Sequence, residues 1–307
     1  MKGEWFVVVN PNAGNGKGKK DWKQISALLD NAGLQHTNIV TEHQGHAIKL
    51  VRRYIDMGFS RIIVVGGDGT LNEAVNAILT QRKYYSHEIE LAMIPVGTGN
   101  DWVRTHNIPT DYANAIEVIK AGKIVKHDAG KVLYTNEGIE KTRYFINIAG
   151  MGFDAAVALK VNLQKPSSRS SEMGYFYHIF TTLLQHTTSN VKLTLDDKII
   201  EREIFTMAAG ICKYNGGGMK QLPNALFNDG LLDVTVIGKV SKSRIIMNVK
   251  KLFDGSFLAM KEVESFTCKH LIVESDPLFG MEADGESISP SRFEIQILPY
   301  ALSVVVP

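Results

Sequence analysis

Apolar residues over the first 125 positions alternate between two patterns. Trp5–Val9 and residues 62–65 and 89–94 are short runs apolar at nearly every position, the signature of strands buried on both faces. A further strand ends near Val40. Between these runs apolar residues recur at helical spacing: Trp22, Ile25, Leu28 and Leu29, then Ala47, Leu50, Val51 and Tyr54, then Leu71, Ala74, Val75, Ile78 and Leu79. A helix over 111–120 is closed by Gly122. Alternating strands and helices predict a parallel sheet with helices on both sides.

Near Lys126 the pattern changes to strand-like runs at 124–126, 131–134, 143–148, 191–195, 199–209, 231–237, 265–274, 293–298 and 301–306. Asp196-Asp197 reads as a hairpin turn between two of them. Helical spacing interrupts at 171–185, with Tyr175, Phe176, Ile179, Phe180, Leu183 and Leu184, and again at 241–253. An antiparallel sandwich or barrel is the expectation for this half. The predicted division is 1–127 and 128–307, with the last strand a candidate to return to the first domain.

Composition adds boundaries to this picture. The chain has 307 residues, 44% hydrophobic and 21% charged, the profile of an ordinary globular protein with its own cores. Net charge is +2, which disfavours a nucleic-acid binder by bulk charge. Two distant cysteines, Cys212 and Cys268, argue against a disulfide framework or a zinc site. The first apolar run is short and enters a turn at once, so it reads as a strand and not a signal peptide. No stretch reaches the length of a bilayer-spanning helix. The expected address is cytoplasmic.

The chemistry concentrates at 62–73, where a buried strand enters Gly66-Gly67-Asp68-Gly69-Thr70 and then an amphipathic helix. Glycines let backbone N–H groups approach a ligand, and a helix start adds free donors and a favourable dipole, so the expectation is a phosphate site. Asp68 would repel phosphate unless a cation mediates or a hydrogen-bond network holds it, which implies Mg2+ in the working complex. Two more turn-rich loops follow strands: Asn10-Pro11-Asn12-Ala13-Gly14, and 95–101 with Gly97-Thr98-Gly99-Asn100-Asp101. Residues 14–20 imitate a Walker loop but fail it, because Lys20 stands where the hydroxyl residue belongs, and the spacing of Gly14, Gly16 and Gly18 fails the dinucleotide fingerprint.

These motifs together resemble the diacylglycerol kinase catalytic domain family, which includes sphingosine and ceramide kinases and bacterial lipid kinases. Further matches follow in the family's order: Asp128-Ala129-Gly130, Phe145-x-Asn147-x-Ala149-Gly150-x-Gly152-x-Asp154, Gly216-Gly217-Gly218, Asn228-Asp229-Gly230-Leu231-Leu232-Asp233 and Asp284-Gly285-Glu286. The resemblance implies an α/β plus all-β chain: a three-layer α/β domain of NAD kinase and diacylglycerol kinase type, a C-terminal β-sandwich that binds lipid, and an active site in the cleft between them. It implies transfer of the γ-phosphoryl group of ATP to a lipid hydroxyl. Asn10, Thr41, Gly66, Gly67, Asp68, Gly69, Thr70, Leu71, Asn72, Thr98, Asn100 and Asp101 are then the nucleotide-binding candidates. Glu286 matches the proton acceptor, with Asp284 and Asp68 as further catalytic candidates. The family's structural Mg2+ site maps to Asp229 with the backbone carbonyls of Leu226 and Leu231.

The implied partner is a lipid substrate at a membrane surface, reached by peripheral association with the inner face. Family members often dimerise, so a homodimer is a candidate state. Residues 239–251 carry Lys239, Lys242, Arg244, Lys250 and Lys251 with no acid, beside Ile245, Ile246, Val249, Leu252 and Phe253. That is the pattern of a basic amphipathic helix, which docks on anionic bilayers or simply covers a core. An NAD kinase-like or sphingoid-base kinase, and a non-catalytic lipid or nucleotide sensor, are the alternative readings.

Overall fold

The computed structural model describes residues 3–162 and 172–307. They form two compact units, one of residues 1–129 with 299–307 and one of residues 130–298.

The first unit opens with Trp5–Val9 (β1), Ala13–Asn31 (α1), His36–Val40 (β2), His46–Met57 (α2), Arg61–Gly66 (β3), Asp68–Thr80 (α3), Glu90–Pro95 (β4), Asp101–Thr105 (α4) and Tyr112–Ala121 (α5). The parallel pairs run β2-β1-β3-β4. Successive strand residues face opposite ways. Trp5, Val7, Val9, Ile63, Val65 and Ile94 pack on Ile25 and Leu29 of α1 and on Ile116 and Ile119 of α5. On the opposite face Phe6 stacks on Tyr54 of α2, ring centroids 3.8 Å apart. Strands covered on both faces read as continuous apolar runs, and Trp5–Val9 is buried throughout, whereas the edge strand β2 is only partly buried. The α1 helix begins late: Gly14, Asn15 and Gly16 have φ of 59°, 57° and 87°, so the first residues form a left-handed turn.

The next elements are Ile124–Asn136 (β5), Ile139–Phe145 (β6), Ile148–Gly152 (β7), Phe153–Asn162 (α6), Glu172–Gln185 (α7), Ser189–Leu195 (β8), Lys198–Gly210 (β9), Leu232–Gly238 (β10), Lys242–Asn248 (α8), Lys251–Asp254 (α9), Val263–Cys268 (β11), His270–Asp276 (β12), Met281–Ala283 (β13), Glu286–Ile288 (β14) and Phe293–Val305 (β15). In the second unit the antiparallel order is β14-β13-β7-β9-β8-β12, followed by the first half of β15. β10 lies against both β9 and β11. The hairpin expected at Asp196-Asp197 is present, with Leu195 opposite Lys198 and Asp196 at φ 50°.

Several sequence expectations change here. The separate runs at 293–298 and 301–306 are one strand, β15, with Tyr300 at positive φ inside it. Its second half belongs to the first unit, where Ser303 and Val304 run parallel to Glu90 and Leu91 of β4. The runs at 124–126 and 131–134 are likewise one strand, β5. The single helix expected over 241–253 is two, α8 and α9. Leu252 N–H donates to Val249 O and Phe253 N–H to Lys250 O, so the chain tightens to three-residue bonding between them. The side chains of Tyr175 and Phe176 lie outside the described residues.

Candidate functional site

In the first unit four loops leave the carboxyl edge of the parallel strands, where open α/β sheets place ligands. The β3–α3 bend is central. Its helix starts on Gly67 with extended backbone and no side-chain cap, so the first turn keeps the donor-rich, electropositive character of a helix start. Two neighbouring loops are locked to this bend. After β1, the Asn10 backbone N–H bonds Val65 O and its side-chain Nδ2 donates to Thr70 Oγ1 at 2.9 Å. After β4, the N–H groups of Val96 and Gly97 both reach Gly66 O. Asn100 Nδ2 donates to Gly97 O at 2.9 Å.

Glycine is required where these loops touch. A Cβ on Gly97 would lie 2.7 Å from Gly67 Cα, and one on Gly14 would lie 1.9 Å from Val96 O. Any larger residue would drive the loops apart. A Cβ on Gly69 would meet nothing within 4 Å, so this residue supplies open backbone at the helix start.

Asp68 resolves its sequence-level puzzle through hydrogen bonds. Its two carboxylate oxygens accept the N–H groups of Asp101 and Trp102, both at 3.2 Å, capping α4 from the neighbouring loop. Behind α4, Trp102 Nε1 donates to His127 Nε2 at 3.3 Å, and His127 Nδ1 pairs with Asp128 O at 2.5 Å. Burial lowers the His127 pKa to about 4, outweighing the opposing effect of the Asp128 carbonyl, so this ring is a neutral hydrogen-bond bridge. Glu73 was not among the site candidates. Its carboxylate accepts the N–H groups of Gly45 and Ala47 at 2.7 and 3.0 Å and ties the start of α2 to α3.

The other nucleotide candidates divide by role. Thr41 is buried at the end of β2, its N–H on Val9 O, whereas Thr98 is exposed on its loop. Asp101 and Thr70 are buried beside the bend. Leu71 is a support and not a phosphate donor, because its side chain is fully buried and its N–H bonds Gly67 O. Asn72 is also fully buried and accepts from Asn76 Nδ2, within α3.

The second unit carries the acidic candidates. Asp284-Gly285 is the two-residue turn of the β13–β14 hairpin, with φ of 49° and 85° and Ala283 opposite Glu286. Positive φ at both positions is the type I′ requirement. Asp284 is buried, and its carboxylate accepts the N–H groups of Ile146, Asn147 and Ile148 at 2.8, 3.0 and 3.1 Å. It therefore anchors the hairpin. Glu286, one residue past the turn, is half-buried.

Sequence reading missed the support under this turn. Glu282, fully within the unit, accepts from Gly285 N–H at 2.7 Å and from Asn215 Nδ2 at 2.9 Å. Asn215 also bonds Gln221, whose Nε2 donates to Asp154. Burial raises Glu282 to about 8 and Asp154 to about 6; hydrogen bonds from Gly285 and Asn215, and from Gln221 and Thr206, pull the other way. The glycine run beside Asn215, at 216–218, has positive φ throughout and, with Asp154, was the sequence clue.

The expected cation residues lie on the irregular segment before β10, which is not the hairpin that Asn228-Asp229-Gly230 suggests on its own. Asp229 Oδ1 accepts from Leu231 N–H at 3.0 Å. Asp233, not anticipated as a partner, has its pKa raised to about 6, first by burial and then by the charge of Asp229. Two carboxylates close enough for the charge of one to raise the other are oxygen donors of the kind a hard divalent ion such as Mg2+ takes.

Comparison with known proteins bears on both units. Residues 4–132 match the model of the diacylglycerol kinase catalytic domain, and residues 147–306 match that of the YegS C-terminal NAD kinase beta sandwich-like domain. A diacylglycerol kinase of Staphylococcus epidermidis is 31% identical over 283 residues, covering 91% of this chain and 84% of that protein. One from Mycobacterium tuberculosis is 29% identical over 308 residues, covering 99% and 96%. The crystal structure of a diacylglycerol kinase from Bacillus anthracis superimposes with a TM-score of 0.73 at 24% identity, covering 99% of this chain and 97% of that one, which speaks to the fold.

Proposed function

The chain belongs to the diacylglycerol kinase family of lipid kinases, and on that footing we propose that it transfers the γ-phosphoryl group of ATP to the hydroxyl of a lipid such as diacylglycerol. The observation that carries this reading is the uncapped start of α3, held between the Asn10 and Gly97 loops by side-chain and glycine contacts. Its backbone N–H groups suit the phosphates of a nucleotide, and the neighbouring loops fix their direction.

Phosphoryl transfer asks mainly for positioning and charge neutralisation. In this reading Gly66, Gly67, Gly69 and Thr70 orient the phosphates, while Asn10, Asp68, Asn100 and Asp101 hold the loops that carry them. Glu286 accepts the proton of the lipid hydroxyl, and Asp284 and Glu282 keep its hairpin in place. Asp229, with Asp233 beside it and the carbonyls of Leu226 and Leu231, would hold a structural Mg2+, which would offset the repulsion between the two carboxylates.

The test is a radiolabelled ATP assay on a total lipid extract, with NAD, fructose 6-phosphate and sphingoid bases as competing acceptors. One or a few phosphorylated lipids are expected. Glu286→Gln should lower kcat at least about a hundredfold with the melting temperature unchanged, as for a lost general base. Asp284→Asn should also lower the melting temperature, because it weakens three charge-assisted hydrogen bonds. Preferential phosphorylation of NAD would favour an NAD kinase-like activity, and nucleotide binding without turnover would favour a sensor.

A further inference from the structure

The second unit carries large apolar side chains on its surface in one short stretch. Ile246, Met247, Val249 and Phe253 are 50%, 75%, 43% and 49% exposed. Phe180 and Leu184, one turn apart on α7, are 50% and 53% exposed. The two groups adjoin, because Lys242 Nζ donates to Leu184 O at 2.5 Å. Large apolar side chains exposed together in one region mark an interaction site.

The stretch is firmly mounted. Arg244 pairs with Glu262 at 2.9 Å, Lys239 pairs with Glu203 at 3.0 Å, and Lys220 N–H bonds Leu252 O at 2.6 Å. Phe257 is buried just beyond it. The segment thus has an inner side that packs and an outer side that does not.

Charge decides what the outer side faces. From Lys239 to the end of α9 the chain has five cations and one acid, the exposed Asp254. Lys250 and Lys251 are exposed between Val249 and Phe253. Protein interfaces are depleted in lysine at their centres, whereas apolar side chains interleaved with lysine suit an anionic bilayer.

We propose that α8 and α9, with the end of α7, form a docking surface for an anionic lipid bilayer, through insertion of Ile246, Met247, Val249 and Phe253 and through Lys250 and Lys251 at the headgroups. The proposal rests on the lipid-kinase reading, since a substrate held in a bilayer must be reached there. Among the described residues no helix is long and apolar enough to cross a membrane, so this surface would hold the chain at the interface.

The experiment is sedimentation of the full chain with phosphatidylcholine vesicles, with and without phosphatidylglycerol. The intact chain should bind the anionic vesicles and be released by salt. Lys250→Glu with Lys251→Glu should weaken that binding at least about tenfold. Met247→Ser with Phe253→Ser should weaken it even at low salt. Each pair should leave the melting temperature and the phosphorylation of lipid in detergent micelles unchanged. Unaltered vesicle binding by both pairs overturns the docking surface, as does a dimer that Met247→Ser with Phe253→Ser dissociates. Vesicle binding lost in both pairs, with no lipid phosphorylated under any condition, supports docking and removes the kinase reading alone.

Discussion

At the scale of single residues, three acids at the candidate sites work by holding backbone. Asp68 caps α4, Glu73 gathers the start of α2, and Asp284 collects three consecutive N–H groups. A carboxylate in such a role places other groups and is spent by doing so, whereas Glu286 stands past the turn that Asp284 secures. Glu282 behaves differently. Its pKa is raised to about 8, mainly by burial, from an ordinary carboxylate value. The folded state therefore holds this proton more tightly than the unfolded chain does. Stability should be greatest at low pH within this window and should fall as pH rises from about 5 to 8, where the unfolded chain releases the proton first. Thermal melts across that range should show this slope, and Glu282→Gln should flatten it. An unchanged slope in the variant would assign the effect elsewhere. Both roles escape a linear reading, since an acid in a turn looks solvated until its partners, more than a hundred positions away for Asp284, are known.

At the scale of elements, the phosphate-binding expectation depends on strand-to-helix bends held at near-contact. Gly-Gly-Asp-Gly-Thr was legible because glycine before an amphipathic helix has few other purposes. Its mating with the Gly97 loop was not, because the distance between two loops is set by the register of β3 against β4. Gly97→Ala tests the contact. The added methyl would sit 2.7 Å from Gly67 Cα and 2.9 Å from Asn100 Oδ1. Nucleotide affinity should fall at least about tenfold, with the far-ultraviolet circular dichroism unchanged, because a displacement near 1 Å is costly at a positioning site. Gly69→Ala, with open space around it, should cost markedly less. Titration of both variants with a nucleotide analogue gives the comparison. The basic stretch at 241–253 shows the opposite limit: its periodicity was readable, but the tightening at Val249-Lys250 that breaks it in two comes from backbone bonding.

At the scale of the whole molecule, the first unit is discontinuous in sequence. Residues 299–307 complete it, with Leu302, Val304 and Val305 buried and β15 pairing with β4. Removing them would expose the edge of β4 and leave a hole in the core, where each fully buried aliphatic side chain contributes about 1.5–3 kcal/mol. A fragment of residues 1–129 should therefore be largely unfolded by proteolysis and hydrogen exchange. The same fragment joined by a flexible linker to residues 299–307 should regain protection and bind nucleotide. A stable, nucleotide-binding 1–129 fragment would refute this account.

The sequence alone determined the class of each half, through its period of apolar residues, and marked the glycine bends, the Asp284-Gly285-Glu286 turn and the family they resemble. Those signals are local: a buried parallel strand, a left-handed turn and a helix start each impose their requirements within a few neighbours. The tertiary structure alone decided which acids hold backbone, which loops close on Gly66, where the last strand returns and which apolar side chains stay outside. Each of those outcomes depends on distances between segments far apart in the chain, and such distances are set only when the strands pair and the cores fill.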